Sequence, residues 1–151
     1  MANCDELKKI AYARLKSAES LMDVNDWDGA AYMLGYTLEC TLKAAACKTL
    51  HLITYPDSSS VKGVKEFFQT HKFSELVVVA GVSDLFSFKG SSKAWQNWSN
   101  FISQYPGNWP EMRYNADPTK NWDETRTKKI HDYLTVPPDG IMIVITNNNR
   151  W

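Results

Sequence analysis

Between Trp27 and about His51 the chain carries apolar residues on two opposite sides of one helix. Ala31, Leu34, Leu38, Leu42, Ala45 and Ala46 form one stripe, and Met33, Tyr36, Cys40, Ala44 and Cys47 form a second. A helix that is apolar on two sides has to be covered on both, which places it at the centre of a helical fold. Glu39 projects at the border of the first stripe, with Lys43 one turn later in the order that favours an i, i+4 ion pair.

From Asp5 to Asp23, Leu7, Ile10, Ala11, Leu15, Ala18, Leu21 and Met22 recur at helical spacing and form a single apolar stripe. Arg14 falls inside that stripe, where a guanidinium must reach an edge or find a carboxylate. A half-buried Arg14–Glu39 salt bridge is one reading; a polar floor to a nucleotide pocket, with Arg14, Glu39 and Lys43, is the other. Val24-Asn25-Asp26 interrupts the pattern, and Asp26 suits an N-cap. Two long helices joined by so short a break make an antiparallel hairpin.

The remainder reads as shorter pieces. Leu52 to Gly63 is a loop, with helices expected at Val64–Gln69 and Phe73–Ala80, although the β-branched run Val77-Val78-Val79 keeps a strand in competition. Ser83–Ser92 reads as a linker. Lys93–Gln104 places Trp95, Trp98, Phe101 and Ile102 on one helix side, ended by Pro106-Gly107. Asn108–Asn121 reads as irregular, Trp122–Leu134 as a last helix, Ile141–Thr146 as extended, and the Asn-rich end as frayed. The expected fold is all-α: an up-and-down bundle of four to five helices on the N-terminal hairpin. Residues 1–151 make one domain, with 136–151 an irregular or extended tail.

Seventeen Lys and Arg balance seventeen Asp and Glu, which excludes a broadly cationic surface for nucleic acid or acidic lipid and leaves room for a local basic groove. The longest apolar runs fall far short of the roughly 20 residues of a membrane span, and the N-terminus has no apolar signal region. A cytoplasmic, unsecreted protein with no membrane association is the expectation. Cys40 and Cys47 stand about 10.5 Å apart along a helix, beyond disulfide reach, so reduced thiols are expected. No cysteine has a second ligand at a zinc-binding spacing, and neither a metal nor another cofactor is expected. A phosphate-cradling Gly-rich loop and a Ser-centred nucleophile elbow are both absent.

Three features in order resemble the HEPN family, the "higher eukaryotes and prokaryotes nucleotide-binding" helical domains. A first helix runs Ala11-Tyr12-Ala13-Arg14-Leu15 through Ala18-Glu19-Ser20-Leu21. The break Asn25-Asp26-Trp27-Asp28 leads through Ala30-Ala31-Tyr32-Met33 to Leu38-Glu39-Cys40-Thr41-Leu42-Lys43-Ala44, similar to the family's glutamate, apolar, lysine-alanine pattern. Thr70-His71-Lys72-Phe73-Ser74-Glu75-Leu76 is similar to its histidine-containing helix start. The likeness covers residues 7–80 well and 93–135 loosely.

The resemblance implies a helical bundle, usually a homodimer. Members are either metal-independent ribonucleases of toxin and defence systems or non-catalytic modules that bind nucleotides or partners. An antitoxin or a nucleotidyltransferase is the kind of partner implied. Nuclease members carry an Arg, four to six residues, then His; Arg126-Thr127-Lys128-Lys129-Ile130-His131 is the shortest such form. The position after the Arg, usually Asn, Asp or His, is here Thr127. On this reading His131 moves the proton of the RNA 2′-hydroxyl and Arg126 stabilises the phosphorane. The structural alternative is a solvated helix face with Arg126 paired to Asp123 or Glu124. Arg113-Tyr114 offers a nucleotide contact or a cation–π packing element. His71 reads as a helix-start residue bonded to backbone, and His51 as a cation at a helix end.

Overall fold

Asn3 accepts the backbone N–H of Asp5 at 2.9 Å and so caps the first long helix, α1 (Cys4–Asp23). Asp26 does the same for α2 (Trp27–Thr49), taking the Gly29 N–H at 2.9 Å. These contacts come from a computed structural model that describes residues 3–87, 92–114 and 121–151. Short helices follow: α3 (Val64–Phe68), α4 (Phe73–Val79), α5 (Lys93–Ile102), α6 (Glu124–Thr135) and α7 (Ile141–Asn147). Two 3-10 turns, Ser83–Phe86 and Trp109–Tyr114, lie between them. Among the described residues the regular secondary structure is all helical, apart from one isolated bridge, Asn3 to Thr54.

α1 and α2 pack along their length as the expected antiparallel hairpin, so Cys4 at the start of one helix meets Cys47 near the end of the other. α2 sits in the middle, against α1, α4, α6, α7 and the Trp109–Tyr114 turn. From Thr37 to Cys47 every one of its residues is buried, Glu39 and Lys43 included. Gly35 permits the closest approach: a Cβ there would stand 2.9 Å from the Trp109 ring and 3.1 Å from that of Tyr105. Tyr105 donates its hydroxyl to Ala31 O at 2.8 Å, which fixes the turn after α5 onto α2.

The helices expected at 64–69, 73–80, 93–104 and 122–134 are present with ends shifted by a residue or two. Val77–Val79 is helical, with Val77 and Val79 buried. The linker and the irregular segment each hold a 3-10 turn; the rest of those expectations, at 88–91 and 115–120, lies outside the described residues.

Three expectations are corrected. Residues 141–147 are helical rather than extended. Ile141, Met142, Val144 and Ile145 share one buried side at i, i+3, i+4 spacing, and burial decides where a short apolar run fits both templates. The C-terminus is held, not frayed. Lys48 Nζ bonds Asn149 Oδ1 at 3.0 Å, Arg150 pairs with Asp84 at 3.0 Å, and Trp151 is buried edge-on to Tyr12. Cys4 and Cys47 form a disulfide across the hairpin, so two of the three thiols are not reduced. The rise along one helix excludes a Cys40–Cys47 bond, but the hairpin brings in a cysteine from the other helix. No helix among the described residues is long and apolar enough to cross a membrane.

Candidate functional site

Where α2 begins, the chain leaves a cleft of about 890 Å³ between the start of that helix, the Trp109–Tyr114 turn and the entry to α6. Each wall has a local cause. Gly29 lies tight against its own cap: a Cβ there would be 2.6 Å from Asp26 Oδ2. Asp28, one residue earlier, accepts the backbone N–H of Trp122 at 2.7 Å and ties the entry of α6 to α2. Asp123 caps α6 by accepting Arg126 N–H at 2.7 Å, which sets Arg126 in the first turn.

The Arg126 side chain is fixed on three sides. Nε donates to Gln104 Oε1 at 2.8 Å, Nη2 donates to Gln104 O at 3.0 Å, and the guanidinium lies 3.8 Å from the Trp122 ring centre. Nη1 has no hydrogen-bond partner among the described residues. Arg113 lines the same cleft, its guanidinium 4.8 Å from the Tyr114 ring centre. Its pKa is raised by hydrogen bonding to Tyr114 and, more weakly, to Tyr32, so its charge is permanent. Tyr32, Met33 and Met112 supply apolar wall, and Asp26, Asp28 and Glu111 supply carboxylates. A smaller cleft of about 280 Å³ shares Gln104 and Arg126 and adds Lys129 and Tyr133. One fixed guanidinium and a second, exposed one beside aromatic and thioether surface can hold an anionic aromatic ligand.

Of the residues singled out in the sequence, Arg113 and Arg126 meet in this cleft; the others do not. His131 turns toward α1, its Nε2 3.3 Å from Glu19 Oε2 and its Nδ1 3.4 Å from Thr135 Oγ1. It lines neither cleft, and among the described residues Arg126 and His131 share no hydrogen-bond partner. Arg126 is not ion-paired to Asp123 or Glu124 either; Glu124 pairs with Lys128.

Glu39 and Lys43 form the expected i, i+4 pair at 2.9 Å, but within the core rather than beside a nucleotide pocket. Glu39 Oε2 also accepts the Trp109 indole N–H at 3.0 Å, and His71 Nδ1 lies 3.0 and 3.1 Å from its two oxygens. His71 therefore bonds a carboxylate, not backbone. Lys43 extends 3.8 Å from Asp57 and lies over the Tyr55 ring. Arg14 makes no bond to Glu39, and its Nε is buried without a partner, so the expected Arg14–Glu39 salt bridge is corrected. Glu39 had its donors from Lys43, Trp109 and His71 instead. Beside it, burial first and the Glu39 charge second push the Cys40 thiol up to about 12, which leaves it an inert core residue.

The sequence reading missed Tyr32, Asp28, Gln104, Glu111 and Trp122 as cleft residues. Only Asp28, beside the N-cap, carried any local signal, because first-turn carboxylates favour a helix start. Among the described residues no group of three or more His, Cys, Asp or Glu side chains is placed to hold a metal ion. No protein-family model, curated protein or solved structure matches this chain.

Proposed function

We propose that this chain is a HEPN-like binding domain that takes a phosphorylated nucleoside in the Arg113–Arg126 cleft and does no chemistry on it. The observation that carries the reading is the fixed Arg126. Gln104 and Trp122 hold its guanidinium in advance, so little side-chain entropy is lost when an anion arrives. Arg113 adds a second cation and Tyr32 an aromatic surface. The α1–α2 hairpin supports the HEPN reading, which puts an up-and-down bundle around it. A homodimer, and an accessory role beside a nucleotidyltransferase, are the assembly and partner that go with it. The Cys4–Cys47 bond belongs to an oxidising milieu and so weighs against the cytoplasmic setting expected from the sequence.

Metal-independent RNA cleavage, as in a toxin or defence nuclease with its antitoxin, needs Arg126 and His131 at one phosphate. Within one chain they address different neighbours, which favours binding over catalysis. The test is titration calorimetry of the full chain with nucleoside monophosphates, followed by labelled RNA incubated with protein in chelator. The expected outcome is saturable binding that weakens at least tenfold in Arg113→Ala and in Arg126→Ala, is unchanged in His131→Ala, and no cleavage of RNA. Cleavage that disappears in both Arg126→Ala and His131→Ala would replace this reading with the nuclease.

A further inference from the structure

We infer that His71 is a phosphoryl-accepting residue, a modification site that lies outside the cleft. Its Nδ1 is 3.0 and 3.1 Å from the two oxygens of Glu39, which stands about 15 Å along α2 from Gly29 of the cleft at 1.5 Å per residue. That buried carboxylate is itself fixed, by Lys43 Nζ at 2.9 Å and by the Trp109 indole N–H at 3.0 Å. The turn that carries His71 is set as well, because Thr70 Oγ1 accepts the Lys72 backbone N–H at 3.1 Å.

An ionised carboxylate only accepts hydrogen bonds, so the proton of the neutral ring sits on Nδ1 and the lone pair on Nε2. The two ring nitrogens point away from each other. Nδ1 is directed into the core from a side chain that is 45 % exposed, and Nε2 therefore faces outward. A carboxylate that orients an imidazole and stabilises the cation formed on it is the arrangement that activates the ring. Among the described residues His71 bonds no serine, threonine or cysteine that it could activate, which leaves the ring itself as the nucleophile.

The exposure of the ring selects the group transferred. An acyl group on imidazole is lost quickly to water, whereas a phosphoryl group on imidazole persists. The donor is of the phosphoramidate class: Nε2 forms the new N–P bond, the donor's P–N bond breaks, and the amine leaves with that electron pair. Nδ1 keeps its hydrogen, so the ring becomes cationic beside Glu39, whose charge offsets it. Lys72, next in the chain and 3.4 Å from Glu75, adds a nearby cation for the phosphoryl oxygens.

Potassium phosphoramidate is added to the full chain, and modification is followed by peptide mass mapping and by 31P NMR, which separates the two ring isomers. His51, exposed and without a carboxylate partner among the described residues, is the internal standard. His71 is expected to react about tenfold or more faster than His51, and at Nε2. His71→Asn removes the fast phase and leaves the slow one. In Glu39→Gln the rate at His71 falls toward that of His51 and the Nδ1 isomer appears, because an amide both donates and accepts and no longer fixes the tautomer. Thermal unfolding verifies that this variant is folded. In the parent chain, His71 reacting no faster than His51, or at Nδ1, overturns the assignment whatever the variants do. A folded Glu39→Gln chain that reacts as fast as the parent overturns it too.

Discussion

Trp109 donates its indole N–H to Glu39 Oε2 at 3.0 Å, from a ring that is 1 % exposed to a carboxylate that is 3 % exposed. This bond anchors the 3-10 turn whose far end presents Arg113 to the cleft. A single buried carboxylate thus joins α2, His71 two residues ahead of α4, and the wall of the candidate site. Removing one partner of a buried ion pair costs about 3–5 kcal/mol, because the other charge is left unmatched. Glu39→Ala is expected to lose stability toward that size, with the buried Trp109 N–H left unpartnered and Lys43 keeping only Asp57. Trp109→Phe removes one hydrogen bond and a little volume and is expected to cost about 1–3 kcal/mol. Urea unfolding of both variants checks the order, and equal losses would show that Glu39 is not the shared anchor.

What the sequence displayed was what lies close along the chain. The double stripe of α2, the Asp26 cap and the Glu39–Lys43 pair all follow from helical periodicity within one or two turns. The partners of Glu39 did not, since His71 and Trp109 stand 32 and 70 residues away and no local spacing encodes them. Cys4 was hidden for the same reason, 43 residues from Cys47. Residues 141–147 misled because a short run of β-branched residues fits a buried helix and a strand equally well. The separation of Arg126 from His131 was legible in part, since residues five apart on a helix are rotated by about 140°. The cleft itself was not legible, being formed by side chains from five separate stretches that meet only in the fold.

Closing 43 residues of sequence, the Cys4–Cys47 bond restricts the unfolded chain far more than the folded one. Chain entropy for a loop of that length gives up to about 4 kcal/mol, and about 2–4 is typical. Reduction, or Cys47→Ser, is expected to lower the thermal midpoint, while Cys40→Ser leaves the bond intact. Mass spectrometry after alkylation under non-reducing conditions should find one labelled cysteine in unfolded protein. Finding three labels in protein purified without reductant would remove the bond from the fold.

Stability is expected to fall in alkali. Burial pushes the Cys40 thiol from its ordinary value up to about 12, and burial also raises the hydroxyls of Tyr55 and Tyr105. In the unfolded chain these groups release protons from about pH 9 upward. The folded chain then holds more protons than the unfolded one, so stability declines as pH rises. Cys40 alone contributes a slope of up to about 1.4 kcal/mol per pH unit between about 9 and 12. Urea midpoints measured from pH 7 to 11 should be flat at first and then drop. A midpoint that stays constant to pH 11 would contradict the burial of these three groups.

Arg126 is expected to resist its most conservative replacement. Its Nε and Nη2 engage Gln104 while its plane lies 3.8 Å from the centre of the Trp122 ring. A lysine has neither the fork nor the planar face, so Arg126→Lys keeps the charge and loses the geometry. If the cleft needed only a cation, Lys would bind a nucleoside monophosphate as well as Arg. With a prepositioned guanidinium, affinity in Arg126→Lys falls about tenfold or more, close to the loss in Arg126→Ala. Trp122→Leu separates the two supports, because it leaves Gln104 in place and removes the stacking surface. An intermediate loss in Trp122→Leu, measured in the same titration, would show that the ring helps hold the arginine, whereas full affinity there would leave Gln104 as the support that matters.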